Sequence, residues 1–234
     1  MDLNVLTVKY SIFGRYDFID NNPENVSKLY EGFCKEGFMP NMVTLLKIEQ
    51  PQNTVTQILR PQLINKSMPC TITILPERID IEAGMTVKLN DVLLFFERIM
   101  AMFELEINRI ALNKTTILEN LTKNEEMQLM DKLTPPENYC GEENLIEYAS
   151  HRVTRKKLEC IGEMINVGRN ITGISSVVDR LVEISKVKVD TDINTLGEIL
   201  KDRFRIEHCR GFFESALKSD QEILENMVRI IDAD

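Results

Sequence analysis

The stretch Thr71-Ile72-Thr73-Ile74-Leu75-Pro76-Glu77-Arg78-Ile79-Asp80-Ile81-Glu82 decides how the rest of the chain is read. On each side of Pro76-Glu77, isoleucine alternates with a polar residue. A period of two puts alternate side chains on opposite faces of a strand. Two such arms across a short turn predict an antiparallel hairpin with one face buried and the other wet. The period then changes. Leu89, Val92, Leu93, Phe96, Met100 and Phe103 recur at helical spacing, with Glu97, Arg98 and Glu104 on the rim. A helix with so broad an apolar face has to lie against something large, and the preceding sheet is the available surface. Burying four or five such side chains contributes about 1.5–3 kcal/mol each before chain entropy is counted.

Upstream, Leu6, Val8, Tyr10 and Ile12 alternate and predict a half-buried strand. Asn22-Pro23-Glu24 then combines a capping amide, a proline suited to the first helical position and an early negative charge. Val26, Leu29, Tyr30, Phe33 and Cys34 follow at helical spacing, with Gly37 where a left-handed terminating residue belongs. The segments 43–48 and 55–59 are rich in β-branched residues and read as strands.

Downstream, 107–112 reads as another strand, and Thr122-Lys123-Asn124-Glu125 is a capping box opening a short helix. The loop 135–144 offers the best division of the chain, into an N-terminal half, 1–134, and a C-terminal half, 145–234, although its ten residues suit a loop within one continuous domain as well as a linker. Beyond it, 145–154 and 158–168 read as strands around a turn at Arg155-Lys156-Lys157. A third strand, 177–189, loses its alternation at Ser185-Lys186. Leu196, Ile199 and Leu200 begin a helical C-terminal region, and Ser219-Asp220-Gln221-Glu222 resembles a second capping box within it. Runs of strands closed by helices give an α+β class with mostly antiparallel sheets, and the two halves share that character.

Composition narrows the function classes. The 234 residues are 43% hydrophobic and 28% charged, which suits a soluble globular chain and not a disordered or coiled-coil one. Asp and Glu (37) exceed Lys and Arg (28), for a net charge of −9, so a phosphate backbone is repelled over the molecule as a whole. Cys34, Cys70, Cys140, Cys160 and Cys209 are scattered, and none forms a CxxC pair. Neither a zinc site nor a disulfide framework is signalled, and a reduced, cytoplasmic setting is expected. The start Met1-Asp2-Leu3-Asn4 lacks the positive region of a secretory signal. The apolar run 92–103 is too short for a bilayer, so no membrane association is expected.

Signatures of phosphate-cradling loops and nucleophile elbows are missing: there is no GxGxxG, GxxxxGK[ST] or GxSxG. His208 and Cys209 are neighbours, but adjacent helical residues diverge by about 100°. His151 and Cys160 would meet only if they faced each other across the hairpin, and an exposed strand histidine with a structural cysteine is the favoured reading. Asp190 and Asp192 would point the same way on a continuing strand and offer oxygens to a divalent cation. Arg152, Arg155, Lys156 and Lys157 are the one dense basic cluster. Without interleaved aromatics they read as a solvated turn rather than a base-stacking platform. No catalytic, cofactor or metal residue is assigned.

The arrangement resembles a group of sporadically distributed, uncharacterised bacterial proteins of about this size. The matching places are 70–82 before the helix Leu89–Phe103, Ile107-Asn108-Arg109-Ile110 after it, and 187–193 leading into 196–213. Their strand-and-helix units are similar in layout to SecB-type export chaperones, acidic oligomers that hold non-native chains. The negative charge, the missing catalytic signatures and the long antiparallel strands, whose edges can recruit another chain, point to a non-enzymatic binding or assembly protein, chaperone-like or linked to a mobile or defence gene cluster. Its partner would be a protein, a second copy included, so a homo-oligomer is expected. The alternatives are a metal-dependent hydrolase using Asp190 and Asp192, and nucleic-acid contact through the Arg152–Lys157 cluster.

Overall fold

A computed structural model describes residues 2–49, 54–133, 149–178, 182–199 and 201–231. In chain order the elements are β1 (Asp2–Phe13), α1 (Pro23–Phe33), β2 (Phe38–Glu49), β3 (Thr54–Asn65), β4 (Cys70–Ile74), β5 (Arg78–Ala83), α2 (Leu89–Phe103), β6 (Arg109–Leu121) and α3 (Lys123–Leu133). β7 (Ala149–Leu158), β8 (Glu163–Val178), β9 (Val182–Thr195) and α4 (Ile206–Ile231) complete them. The strands form one nine-stranded sheet in the order β2-β3-β4-β5-β1-β6-β9-β8-β7. The pairs β1–β5, β2–β3, β3–β4, β4–β5 and β7–β8 are antiparallel. Two compact units share these elements. One comprises Val8–Ala111 and Thr195–Gly211, and the other Met1–Thr7, Leu112–Asn194 and Phe212–Asp234.

In the Val8–Ala111 unit the predicted hairpin is present. Ile72 pairs with Ile81 and Ile74 with Ile79, and all four are buried. Val8, Tyr10 and Ile12 extend this apolar layer on β1. The opposite face is not uniformly wet. Asp80 is buried, accepting a hydrogen bond from Ser11 Oγ at 2.6 Å and an ion pair from Arg78 Nε at 3.0 Å. α1 starts where its capping signal lies, with the Asn22 side chain accepting from the Asn25 amide. Gly37 adopts φ 85° after a short 3-10 turn, which lets the chain reverse into β2. Phe33, Phe38 and Phe95 then meet edge-to-face, with centroids 5.2–5.8 Å apart. α2 has the expected bounds, but its buried stripe is Val92, Leu93, Phe95, Phe96 and Ile99. Leu89, Met100 and Phe103 sit at the margin of that stripe and are half-buried.

In the Leu112–Asn194 unit, Leu118, Ile171, Val187 and Val189 of the sheet pack with Leu129 of α3 and with Ile223, Leu224, Met227 and Ile231 of α4. The capping box opening α3 is formed: the Thr122 amide donates to Glu125 Oε2, and Thr122 Oγ1 accepts from the Glu125 amide. Three expectations are corrected. Arg155, Lys156 and Lys157 lie within β7, and the turn falls at 159–162, where Gly162 takes φ 70°. β9 passes through Ser185-Lys186 without a break, because Val187 and Val189 anchor its alternation in the core. The expected helical stripe 196–200 is not helical at 196–199. The loop 135–144 and residues 145–148 lie outside the described residues.

Ser219 and Asp220 do not cap a helix; they lie inside the 26-residue α4. Both are buried against the sheet. Asp220 forms an ion pair with Lys114 Nζ at 2.5 Å and accepts from Thr191 Oγ1 at 2.6 Å, while Ser219 Oγ accepts from Lys156 Nζ at 2.9 Å. Breaking a buried pair by deleting one partner leaves the other charge uncompensated, at a cost of about 3–5 kcal/mol. Asp220→Ala is therefore expected to destabilise the protein by that amount in urea titration. The double replacement Lys114→Met with Asp220→Leu should recover most of the loss.

Candidate functional site

The structure separates the residues considered for nucleophilic chemistry. His151 is paired in register with Asn170 on β7–β8, while Cys160 lies in the following turn with its Sγ 3.6 Å from Ser215 Oγ. Seven residues of strand separate His151 from Leu158, about 23 Å at 3.3 Å per residue, so no dyad forms. His208 Nδ1 accepts from the Arg205 amide at the start of α4, and Cys209 is wholly buried.

Asp190 and Asp192 do share a face of β9, but donors already occupy both oxygens of Asp190 and Oδ1 of Asp192. Asp190 accepts from Thr115 Oγ1 at 2.7 Å and pairs with Lys188 at 2.7 Å. Asp192 accepts from Asn113 and Asn194. Among the described residues, no group of three or more His, Cys, Asp or Glu could hold a metal ion.

Arg152, Arg155, Lys156 and Lys157 run along β7, which is an edge of the sheet. Arg155 Nε donates to Asn166, Lys156 reaches Ser219, and Lys157 pairs with Glu159 at 3.1 Å. Charges spread along an edge strand discourage another chain from adding to it.

The opposite edge, β2, has a different character. β2 and β3 pair over their full twelve residues, whereas β3 pairs with β4 only from Gln62 to Asn65. Most of the hairpin is therefore a two-stranded ribbon, an arrangement of marginal stability by itself. Residues directly opposite in an antiparallel pair point to the same face. Met42, Leu46, Leu59 and Val55 accordingly share one face of the ribbon, and they are 38, 65, 45 and 57% exposed. At the base of the same face, Phe38 and Leu63 are buried in the core. The stripe thus continues the interior layer outward. Only Lys47, Glu49 and Arg60 are charged between residues 38 and 65. Arg60 is turned inward, where its guanidinium donates to the carbonyls of Tyr16, Asp17 and Ile74.

A second feature of this unit is a cleft of about 570 Å³ lined by residues of α2, the 105–106 segment and 202–207. The Ile107 carbonyl accepts the amides of Arg203 and Phe204, fixing these segments side by side. Glu106 and Asp202 are hydrogen-bonded there, and this bond, followed by their mutual repulsion, holds the Glu106 carboxyl above the usual carboxylate range. Behind them Tyr16 Oη donates to the Glu106 carbonyl at 2.9 Å. Burial, with smaller contributions from Cys209 and Asp202, raises the Tyr16 phenol well above its ordinary value.

Neither carboxylate was legible in the sequence, since they lie 96 positions apart and meet only because the 107–108 and 203–204 segments cross in the fold. The ribbon left a trace there: its scarcity of charge in a chain that is 28% charged. Compared with protein-family models, curated proteins and solved structures, the chain shows no match. Among the described residues no helix is long and apolar enough to cross a membrane.

Burial pushes the thiols of Cys70 and Cys209 up to about 12 from an ordinary 9.0. As pH rises past 9, the unfolded chain releases these protons while the folded chain retains them, so stability falls progressively from about pH 9 toward 12. Urea midpoints should decline over that window, and less steeply in Cys70→Ala than in the parent. At pH 8 a thiol reagent should modify exposed Cys160 promptly and leave Cys70 and Cys209 unmodified until unfolding.

Proposed function

We propose that this α+β chain, with its two β-rich halves, is a non-enzymatic binding and assembly protein that docks through the β2–β3 ribbon. Its partner on this surface is a second copy of the same chain. The observation carrying the reading is the unprotected edge: among the described residues β2 has no strand on its outer side, and Met42, Leu46, Val55 and Leu59 lie exposed beside it. An uncovered apolar edge is a template for strand addition, which natural proteins otherwise block with charge. β7 is blocked in that way and β2 is not.

The choice of a second copy follows from charge. In a two-fold antiparallel contact the edge meets its own reversed copy, so residue i faces residue j of the partner and j faces i, and any charge on the strand is brought near the same short stretch of its partner. Like charges directly opposite are destabilising. From residue 38 to 46 the strand reads Phe-Met-Pro-Asn-Met-Val-Thr-Leu-Leu, without a charge. Self-pairing there carries no repulsion, even though the chain as a whole is at −9. Pro40 lacks an N–H and so confines the ladder to the residues beyond it.

Light scattering behind size exclusion, from micromolar to about 100 micromolar protein, reads the assembly state. The expected result is a dimer or larger symmetric species that the double variant Leu46→Asp/Leu59→Asp converts to monomer. Both positions are exposed, so the melting temperature of the monomeric fold should be retained. A parent that stays monomeric throughout, or a variant that assembles equally well, would overturn the reading.

A further inference from the structure

We propose that the pocket where β1 ends against the start of β6 binds a small oxyanion, a phosphate or carboxylate group, between Arg15 and Arg109. The pocket holds about 250 Å³. Its basic character is built in, because the two guanidinium groups lack the partners that arginines in an acidic chain usually find. Arg109 is stacked 4.6 Å over the Phe13 ring, which fixes its plane, and its Nε is buried without a hydrogen-bond acceptor. Buried donors in native proteins are almost always satisfied, so an orphaned one marks a place for an absent acceptor. Arg15 is exposed on the same pocket and makes no ion pair among the described residues. Planar arginine forks match the paired oxygens of phosphate and carboxylate.

The walls leave this space open by using bare backbone. A Cβ on Gly14 would fall 2.5 Å from the Glu106 carbonyl and 2.6 Å from the Tyr16 ring, so only glycine lets β1 end this close to the 106–108 segment. The Gly14 amide is spent on the Glu77 carbonyl at 3.1 Å and the Asn108 amide on the Phe13 carbonyl at 2.9 Å. These bonds hold the floor rigid and leave recognition to side chains. Gly197 closes the far wall, where a Cβ would already stand 3.4 Å from Arg109 Nη1. Glu77 also lines the pocket and opposes an anion, and on its other side Arg15 shares an adjoining recess with Glu104, Glu106 and Asp202, so the anion is held chiefly from the Arg109 side. The overall negative charge matters little at this range, since physiological salt screens charges beyond about 8 Å.

The test follows the arginine Nε–Hε resonances of the full chain by ¹⁵N–¹H correlation during titration with inorganic phosphate, and separately with acetate, at constant ionic strength. The expected result is a saturable shift of Arg109 Nε with at least one anion, and the anion that saturates identifies the class. Arg15→Gln should weaken that binding about tenfold, as loss of a charge-assisted fork requires, and Glu77→Gln should strengthen it. Both positions are exposed, so neither variant threatens the fold. The proposal is overturned by an unmoved Arg109 signal, by a linear drift equal to that of Arg155 on β7, or by unchanged affinity in Arg15→Gln. None of these outcomes depends on the assembly state.

Discussion

The layer formed by Ile72, Ile74, Ile79 and Ile81, with Val8, Tyr10 and Ile12 beside it, has to be removed from water, and the rest of its unit follows from that requirement. Each such side chain contributes about 1.5–3 kcal/mol on burial, more than any single surface interaction in the molecule supplies. The same unit buries the wide apolar face of α2, whose Phe95 meets Phe33 and Phe38. From inside the protein Arg60 ties the 14–20 segment to the end of β4, donating to the carbonyls of Tyr16 and Asp17 in the one and of Ile74 in the other. A guanidinium satisfied by carbonyls keeps its hydrogen bonds without a buried carboxylate, and burial accordingly lowers its proton affinity against the pull of Asp20 and Asp17.

The other unit solves the same problem with polar groups at its centre. α4 lays Ile223, Leu224 and Met227 on the sheet, and one turn before them it places Ser219 and Asp220 opposite Lys156, Lys114 and Thr191. An apolar stripe can slide along a sheet at little cost. A buried carboxylate that must meet one ammonium and one hydroxyl cannot. These contacts define the longitudinal register of the helix, while the hydrophobic residues supply the attraction.

Function, as proposed, lies where these cores run out. The β2–β3 ribbon continues the interior layer beyond its cover, so apolar side chains that would be core elsewhere stand in solvent. The arginine pocket arises where β1 ends, because Gly14 permits an approach that any side chain would prevent. Assembly and ligand binding thus use different edges of one structure: one is an uncharged strand, the other a charged recess walled by backbone.

Local patterns determined much of the architecture. The period-two arms of β4 and β5, the bounds of α2, the Asn22-Pro23 start of α1 and the capping box of α3 are all interactions among residues within a few positions, and the sequence displays them directly. The order of elements and the prevalence of antiparallel strands follow from the same signals. Tertiary structure decided what local chemistry leaves open. Ser219-Asp220 has the composition of a helix start, yet partners about 30, 60 and 105 positions away draw it inside α4, where hydrogen bonds to the sheet outweigh the capping preference. Arg155-Lys156-Lys157 looks like a turn until β8 pairs with it, because charge suits an edge strand as well as a loop. The meeting of Glu106 with Asp202, and of Arg15 with Arg109, depends on where distant segments cross. No pattern of neighbours along the chain encodes such crossings.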